Sequence, residues 1–255
     1  MTRALEGAAR RLATDPARAA ADAREILHLA PGEPRARLIL AMALRRCGDP
    51  TGARPHLEQV CQDMPHSARA HIELGEAHLA MGDPAAAERA LREALRLNPD
   101  SADAWRGRTA ALLLSGDAPG ADQARAQAIR ADALGSDLSG AAQALCEGRF
   151  DAAESAARVH LEATPDDVAA LRLRAEALLR LERYADAEAA FDRCLELDPA
   201  FDQARESQAI VLIRQNKAPA AIGHLRQLLM RRPDAVGCRA LMAMCLDLTA
   251  PDTAS

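Results

Sequence analysis

Aromatic residues are scarce in this sequence. They make up 2% of its 255 residues, with one Trp, one Tyr and three Phe. Hydrophobic residues nevertheless reach 49%, so the apolar content is mostly Ala and Leu. These residues favour helix because they lose little side-chain entropy there, whereas strands favour the β-branched and aromatic residues that are rare here. The composition therefore predicts an all-α protein.

Lysine, excess basic charge and long apolar runs are also lacking. Lys217 is the only lysine, which we attribute to a GC-rich genome, and the net charge is −5. Because acids and bases are interspersed, the sequence lacks the basic surface of a nucleic-acid-binding protein. No apolar run approaches the ~18 residues of a membrane span, and residues 1–13 lack the apolar segment of a signal peptide. We therefore expect a cytoplasmic protein with no nucleic-acid or membrane partner.

The sequence patterns of catalytic, phosphate-binding and zinc sites are absent. There is no GxxxxGK[ST] or GxGxxG loop and no HExxH, so we predict no enzyme, no catalytic residue, no cofactor and no metal. His71 and His78 lie seven residues apart near two glutamates, and Cys238 and Cys245 share a helix face. A zinc or redox site is the alternative there, but we favour packing. The six cysteines form no CxxC pair, and we expect no disulfides.

The sequence repeats with a period of 34 residues. Glycines followed at once by Asp recur at this interval as Gly48, Gly82 and Gly116. An Ala follows each glycine by five residues, and a proline closes each unit: Ala53, Ala87 and Ala121, and Pro31, Pro65 and Pro99. After a loss of two residues the series continues with Ala153, Ala187 and Ala221 and with Pro165, Pro199 and Pro233. Internal repeats of this length indicate a stacked repeat protein.

Each mark of the repeat has a physical reason. Glycine can take the positive φ at which one helix stops. The following Asp caps the next helix, and Pro50 and Pro84 occupy the first helical position, where no N–H is needed. The small Ala allows two helices to cross closely, and the later proline ends the second helix. Each unit is thus a pair of antiparallel helices that must stack on its neighbours to bury its apolar face.

The copy at residues 68–101 resembles the tetratricopeptide repeat (TPR). The matching positions are Leu74, Gly75, Gly82, Ala87, Leu91, Ala94 and Pro99, with Trp105, Tyr184 and Phe191 in other units. His71 and His78 replace the usual aromatics, and Arg108 and Arg174 stand where Leu is common. The resemblance implies a right-handed α-solenoid of about seven helix-turn-helix units plus a C-terminal helix.

The repeat frame also predicts how the chain is divided. We expect one TPR array over residues 1–133, with a degenerate first repeat, and a second over 134–249, followed by a frayed tail at 250–255. The two-residue loss and a missing proline point to residues 131–140 as a kink or a joint. Residues 236–249 form a last helix without a partner, so Leu241, Met242, Met244, Leu246 and Leu248 predict an apolar end that self-associates or binds a partner.

The resemblance implies a binding groove. In TPR proteins the first helix of each unit lines the concave face, which here predicts a groove of Arg35, Met42, Arg45, Arg46, Arg69, Ile72, Glu76, Arg106, Arg172, Glu176, Arg180, Ile210 and Arg214. Such a surface suits an extended or helical peptide with acidic and apolar side chains. The alternative is that these arginines only keep the array in solution. The Lys/Asn clamp of chaperone adaptors does not match, so a chaperone C-terminus is not the expected ligand.

Residues 139–249 resemble more closely the N-terminal repeat region of bacterial TPR–sulfotransferase fusion proteins. The phosphosulfate-binding loop of those proteins has no counterpart in this sequence. Two functions follow as hypotheses: a non-catalytic scaffold for protein–protein interaction, or the substrate-recruiting repeat region of a sulfotransferase whose catalytic domain lies elsewhere. The chain could be free-standing or truncated.

Overall fold

The computed structural model describes residues 2–249, and within that range every regular element is an α-helix. The helices are α1 (Thr2–Arg11), α2 (Pro16–Leu29), α3 (Pro34–Arg46), α4 (Pro50–Asp63), α5 (Ala68–Ala80), α6 (Pro84–Leu97), α7 (Ala102–Leu114), α8 (Ala118–Asp132), α9 (Ser139–Cys146), α10 (Phe150–Ala163), α11 (Val168–Arg180), α12 (Tyr184–Leu197), α13 (Asp202–Arg214), α14 (Ala218–Arg231) and α15 (Val236–Thr249). Seven consecutive pairs are followed by one further helix. The predicted all-α repeat fold is confirmed.

The second helices begin as the repeat marks predict. The carboxylate of Asp49 accepts a hydrogen bond from the backbone N–H of Gly52 at 2.7 Å. Asp83 and Asp117 make the same contact three residues on, at 2.9 Å each. These bonds satisfy backbone donors that have no partner inside the helix. The predicted N-caps are therefore confirmed.

The turn between the two helices of a unit requires a positive φ. Gly48, Gly82 and Gly116 have φ of 85°, 77° and 78°. In the first of these turns the N–H of Asp49 bonds to the carbonyl of Leu44 at 2.9 Å, as in a Schellman motif. This left-handed conformation costs a side chain about 1–2 kcal/mol, which explains the recurring glycine.

The same positive-φ turn also occurs in two later repeats that have no glycine at this position. Gly148 has φ 75°, and the residues 34 and 68 positions later, Glu182 and Asn216, have φ 57° and 59°. The N–H of Arg183 bonds to the carbonyl of Leu178 at 2.9 Å, so the hydrogen bonding is preserved. The repeat geometry thus imposes the left-handed conformation on these two side chains, and the sequence pattern alone did not reveal it.

Glu182→Gly should stabilise the protein by roughly 1 kcal/mol, because glycine removes the strain of a positive φ from an exposed position. Asn216→Gly should gain only a few tenths of a kcal/mol, since Asn tolerates this conformation better. Both are measured by urea denaturation followed by circular dichroism. Equal gains for the two variants, or a loss for Glu182→Gly, would contradict the argument.

Small residues mark the places where helices cross. The repeat alanines are fully buried, at 0% exposure each: Ala53, Ala87, Ala121, Ala153, Ala187 and Ala221. Two glycines are also close to a neighbour, because a Cβ on Gly75 would lie 2.6 Å from Cγ of Leu91 and one on Gly107 would lie 2.8 Å from its Cδ2. Leu91 of α6 therefore fills a space that both glycines of α5 and α7 leave open.

The proline that ends a repeat accepts a hydrogen bond from a side chain of the next repeat. The carbonyl of Pro31 accepts from Arg37 at 2.8 Å, and that of Pro99 from the Trp105 ring at 2.8 Å. The same spacing of six residues pairs Pro65 with His71, at 3.4 Å, and Pro199 with Arg205, at 2.6 Å. His71 therefore has a structural contact at its place in the repeat.

The two arginines that depart from the TPR pattern pair with glutamates twenty residues earlier. Arg108 Nε lies 3.1 Å from Glu88 Oε1, and Arg174 Nε lies 2.9 Å from Glu154 Oε1. Each ion pair joins the second helix of one repeat to the first helix of the next repeat. A polar contact thus replaces the apolar one that Leu would make.

The chain forms two compact units, unit 1 (residues 1–121) and unit 2 (residues 122–255). The region of the two-residue loss contains the end of α8, a turn at 133–138 and α9, which has eight residues where α7 and α11 have thirteen. The joint at 131–140 and the division at 133/134 stay predictions, and the tail predicted at 250–255 lies outside the described residues. Within residues 2–249, no helix has the length and apolar character to cross a bilayer.

The final helix is covered on one face. Leu241, Cys238 and Cys245 of α15 are buried, whereas Met244, Leu246 and Leu248 are 43%, 53% and 56% exposed. The expectation that Leu241 lacks cover is wrong, because α15 packs on α14 through this side. The other face is apolar and open to solvent among the described residues, and self-association through it stays a prediction.

Candidate functional site

Three first helices of unit 1 are joined by a continuous row of ion pairs, which we call the arginine row. Arg45 of α3 lies 3.0 Å from one oxygen of Glu73 on α5, and Arg69 lies 2.6 Å from the other. Arg69 also lies 3.5 Å from Asp103 of α7, which Arg106 approaches to 2.8 Å. Three of the predicted groove residues therefore share one face, with carboxylates between them.

The arginine row is buried at one end and exposed at the other. The side chains of Arg45 and Glu73 are 9% and 2% exposed. Those of Arg69, Arg106 and Asp103 are 46%, 33% and 56% exposed. Exposed ion pairs contribute at most about 1 kcal/mol each. The contacts of Asp103 can therefore exchange with a carboxylate from outside at little cost.

The other predicted groove residues of unit 1 differ in exposure. Arg35 is exposed, Arg46 is exposed and donates to the carbonyl of Leu12 at 2.7 Å, and Glu76 is half-buried. Met42 and Ile72 are 9% and 7% exposed and belong to the packed core. These two residues offer little surface to a ligand.

In unit 2, the predicted residues come together around another part of the chain. Residues 122–132 of α8, here called the inner segment, form side-chain ion pairs with α11 and α13. Arg180 donates to the backbone carbonyl of Asp122 and lies 3.9 Å from its carboxylate, and Arg214 lies 3.6 Å from that carboxylate. Arg172 lies 3.3 Å from Asp132. We call Arg172, Arg180 and Arg214 the arginine cradle.

A buried ion pair lies at the centre of this contact. Arg125 of the inner segment lies 3.3 Å from Glu176 of α11, and their side chains are 9% and 1% exposed. Glu176 also accepts a hydrogen bond from the Ser207 hydroxyl, and Arg125 pairs with Asp122. Burial alone would lower the pKa of Arg125, but Glu176 and Asp122 outweigh it and raise that pKa. The Arg125 guanidinium therefore stays charged.

The cradle arginines are fixed by aromatic rings and only partly satisfied. Arg172 stacks over Phe201 at 5.5 Å, and Arg180 over Phe150 at 5.9 Å, distances typical of cation–π contacts. Their Nε atoms are buried with no hydrogen-bond acceptor among residues 2–249. Burial and the nearby Arg125 lower the pKa of Arg180. The cradle thus has donor capacity that its present neighbours leave unused.

Two further residues complete the surroundings. Ile210 of α13, also predicted for the groove, is 7% exposed and packed. Burial raises the pKa of Glu206, although nearby arginines lower it in part. On the first-helix face of unit 2, the charged residues of α11 therefore have little access to water, whereas Arg214 of α13 is 45% exposed.

Repeat reasoning placed the first helices correctly but did not identify the inner segment. Asp122, Arg125 and Asp132 lie on a second helix, which the repeat frame assigns away from the first-helix face. The only signal in the sequence is the two-residue loss that follows them. Among residues 2–249, no three His, Cys, Asp or Glu side chains are grouped so as to hold a metal ion.

Solved structures are similar to this chain. A tetratricopeptide repeat protein from Parabacteroides merdae is 14% identical, with 96% of this chain and 98% of that chain aligned and a TM-score of 0.56. The TPR2AB domain of yeast Sti1, in complex with pHSP90, is 16% identical over 98% of both chains, with a TM-score of 0.41. The APC/C hetero-tetramer Cut9–Hcn1 is 16% identical over 89% of this chain, which spans about half of that one (52%), with a TM-score of 0.42.

Family models give the more direct assignment. No curated protein sequence matches the chain significantly, and the similarity to sulfotransferase fusion proteins stays a prediction. One tetratricopeptide repeat model matches residues 44–112. A second matches residues 6–68, 144–202 and 172–236, which is more than half of the chain. Together with the capped helix pairs of 34 residues, these matches show that the chain belongs to the tetratricopeptide repeat family.

Proposed function

We propose that the protein is a non-catalytic cytoplasmic scaffold that binds a protein or peptide segment on the first-helix face of unit 1. The observation that supports this most is the arginine row. Glu73 is buried and holds Arg69 at 2.6 Å, yet 46% of the Arg69 side chain is exposed. An arginine that is already held in place loses less conformational freedom when it binds a ligand.

The surroundings of the row define the chemistry of the partner. Arg69, Arg106 and Arg46 can each receive a carboxylate, and Arg can bind both of its oxygens. Leu38, Leu113 and Leu114 are half-buried on the same first helices and add apolar contact area. The partner is therefore an extended or helical segment that carries acidic side chains beside apolar ones.

The triple variant Arg46→Ala/Arg69→Ala/Arg106→Ala should weaken binding about 100-fold. Each lost charged contact is worth on the order of 1 kcal/mol at such half-exposed positions, and 1.4 kcal/mol corresponds to tenfold in affinity. Ligands are first selected from a random peptide display library with the intact chain. The selected peptides are then titrated against both proteins by fluorescence anisotropy.

A matched control removes the same charge from second helices. Arg54, Arg92 and Arg96 are 48%, 70% and 64% exposed, and each pairs with a glutamate of its own helix. Arg54→Ala/Arg92→Ala/Arg96→Ala should bind the selected peptides within about threefold of the unsubstituted chain. Equal losses in the two variants, or selected peptides without acidic residues, would refute the proposed site.

A second candidate is a substrate-recruiting region that works with a sulfotransferase domain. It rests on the resemblance to TPR–sulfotransferase fusion proteins that the sequence of residues 139–249 predicts. The genomic sequence beyond Ser255 tests it. A reading frame encoding a phosphosulfate-binding loop would favour this role, and its absence nearby would favour the scaffold.

A further inference from the structure

At two repeat positions, arginines of unit 1 are more exposed than the arginines of α11 in unit 2, whereas Arg214 of α13 is 45% exposed. Arg46, Arg180 and Arg214 occupy position 13 of their repeats, and Arg106 and Arg172 occupy position 5. Arg46 is exposed, whereas the Arg180 side chain is only 14% exposed. At position 5 the exposures are 33% for Arg106 and 8% for Arg172. Asp122 and Asp132 of the inner segment contact Arg180 and Arg172, the two less exposed arginines of α11.

The inner segment matches the cradle charge by charge. Asp122, Arg125 and Asp132 lie three and ten residues apart, which places them on one stripe of a helix. Asp122 faces Arg180 and Arg214, Arg125 faces Glu176, and Asp132 faces Arg172. A negative, positive and negative series thus meets a positive, negative and positive one.

From this arrangement we propose that the inner segment is an internal ligand of unit 2, which occupies the arginine cradle and excludes an acidic helical partner until it is displaced. The proposal rests on the proposed function, in which first-helix faces bind acidic segments. The recognised chemistry is that of the segment itself: a helix with two carboxylates on one face and a basic residue between them.

The fit of the internal ligand is incomplete, which makes displacement feasible. The Arg214 and Arg180 contacts to the Asp122 carboxylate are long, at 3.6 and 3.9 Å. Two buried Nε donors of the cradle have no acceptor in the described chain, and buried donors left without acceptors are costly. A partner with better-placed carboxylates gains these bonds.

The inner segment also makes contacts outside the cradle. An outside partner must therefore compete with the segment for the cradle. Ala126 and Ile129 share a core with Leu138 and Leu145, and Gln123 donates to the carbonyl of Cys146 at 3.2 Å. These contacts keep the segment close to the cradle. Proximity gives an internal ligand a high effective concentration, so an outside partner binds weakly while the segment is in place.

The test uses the full chain and a labelled synthetic peptide copy of residues 118–133. Asp122→Asn removes the charge that Arg180 and Arg214 face, while it keeps the side-chain volume. The peptide should bind this variant roughly tenfold more tightly than the unsubstituted chain. Amide hydrogen exchange within residues 122–132 should also become roughly tenfold faster in the variant. Arg180→Ala added to Asp122→Asn should abolish the gain in peptide binding.

Asp186→Asn is the matched control, since Asp186 pairs with Arg183 in unit 2 and both are about half exposed. It should change neither readout. If Asp122→Asn does not fold, Asp132→Asn replaces it, because Asp132 is 35% exposed, faces Arg172 and leaves the cradle itself unchanged. Unchanged exchange and unchanged peptide affinity would overturn the internal ligand. Only unit 2 residues are altered, so failure here is distinct from failure of the arginine row to bind peptides.

Discussion

Glu176→Ala should lower the free energy of unfolding of unit 2 by about 3–5 kcal/mol, the usual cost of removing one partner of a buried ion pair. Glu176 is 1% exposed and lies 3.3 Å from Arg125, which is itself buried. It also accepts the Ser207 hydroxyl hydrogen bond. Without the carboxylate, a buried guanidinium loses one of its ion-pair partners, and a buried hydroxyl loses its acceptor.

Hydrogen exchange of the α11 amides under increasing urea measures this loss specifically in unit 2. Glu196→Ala is the control, because Glu196 is 65% exposed and pairs with an exposed Arg193. It should cost no more than about 0.5 kcal/mol. If the two variants were destabilised equally, the buried pair would not hold the inner segment against α11.

Leu91→Ala should destabilise unit 1 by about 2–5 kcal/mol, and the same substitution should reverse the effect of Gly75→Ala. Leu91 is fully buried, so its removal leaves a cavity. In the unsubstituted chain, a Cβ on Gly75 would lie 2.6 Å from Leu91 Cγ, and such overpacking costs about 1–3 kcal/mol. With Leu91 removed, the methyl group that Gly75→Ala introduces fills part of the cavity, and the substitution gains roughly 1 kcal/mol of helix propensity.

A double-mutant cycle by chemical denaturation measures the coupling, which should exceed about 1.5 kcal/mol. Gly140→Ala provides the control, because a Cβ there meets no atom within 4 Å. Its effect should be the same with and without Leu91→Ala. Additive effects of Gly75→Ala and Leu91→Ala would show that α5 and α6 do not meet through this contact.

Local chemistry explains why so much of the fold could be predicted from sequence. The capping aspartates, the prolines and the buried alanines act within a few residues of themselves, and their order in the chain is enough to locate the helix pairs. Glu182 and Asn216 show the limit of such signals. Their positive φ is imposed by the repeat geometry. Asn is common in this conformation, but Glu is not, so the residue type at position 182 does not predict it.

The candidate site was predicted only in part, for a related reason. Arg172, Glu176, Arg180 and Arg214 were placed on one face because the repeat frame identifies first helices. The frame says nothing of what covers that face. Contacts such as Arg125 with Glu176 join residues 51 positions apart and depend on how α8 lies against α11, which no local pattern encodes.

The hydrogen bond to the carbonyl of the closing proline has a consequence for engineering. Arginine, histidine and tryptophan all make it, at 2.8 to 3.4 Å, in the units after Pro31, Pro65 and Pro99. The junction therefore requires a side-chain N–H group that can reach the proline carbonyl, and side chains of different shape can provide it. Leu171, which follows Pro165 at the same spacing, has no such donor. Modules cut after Pro31, Pro65, Pro99 or Pro199 could be reordered with their connection preserved, whereas one cut before Leu171 would need a new donor there.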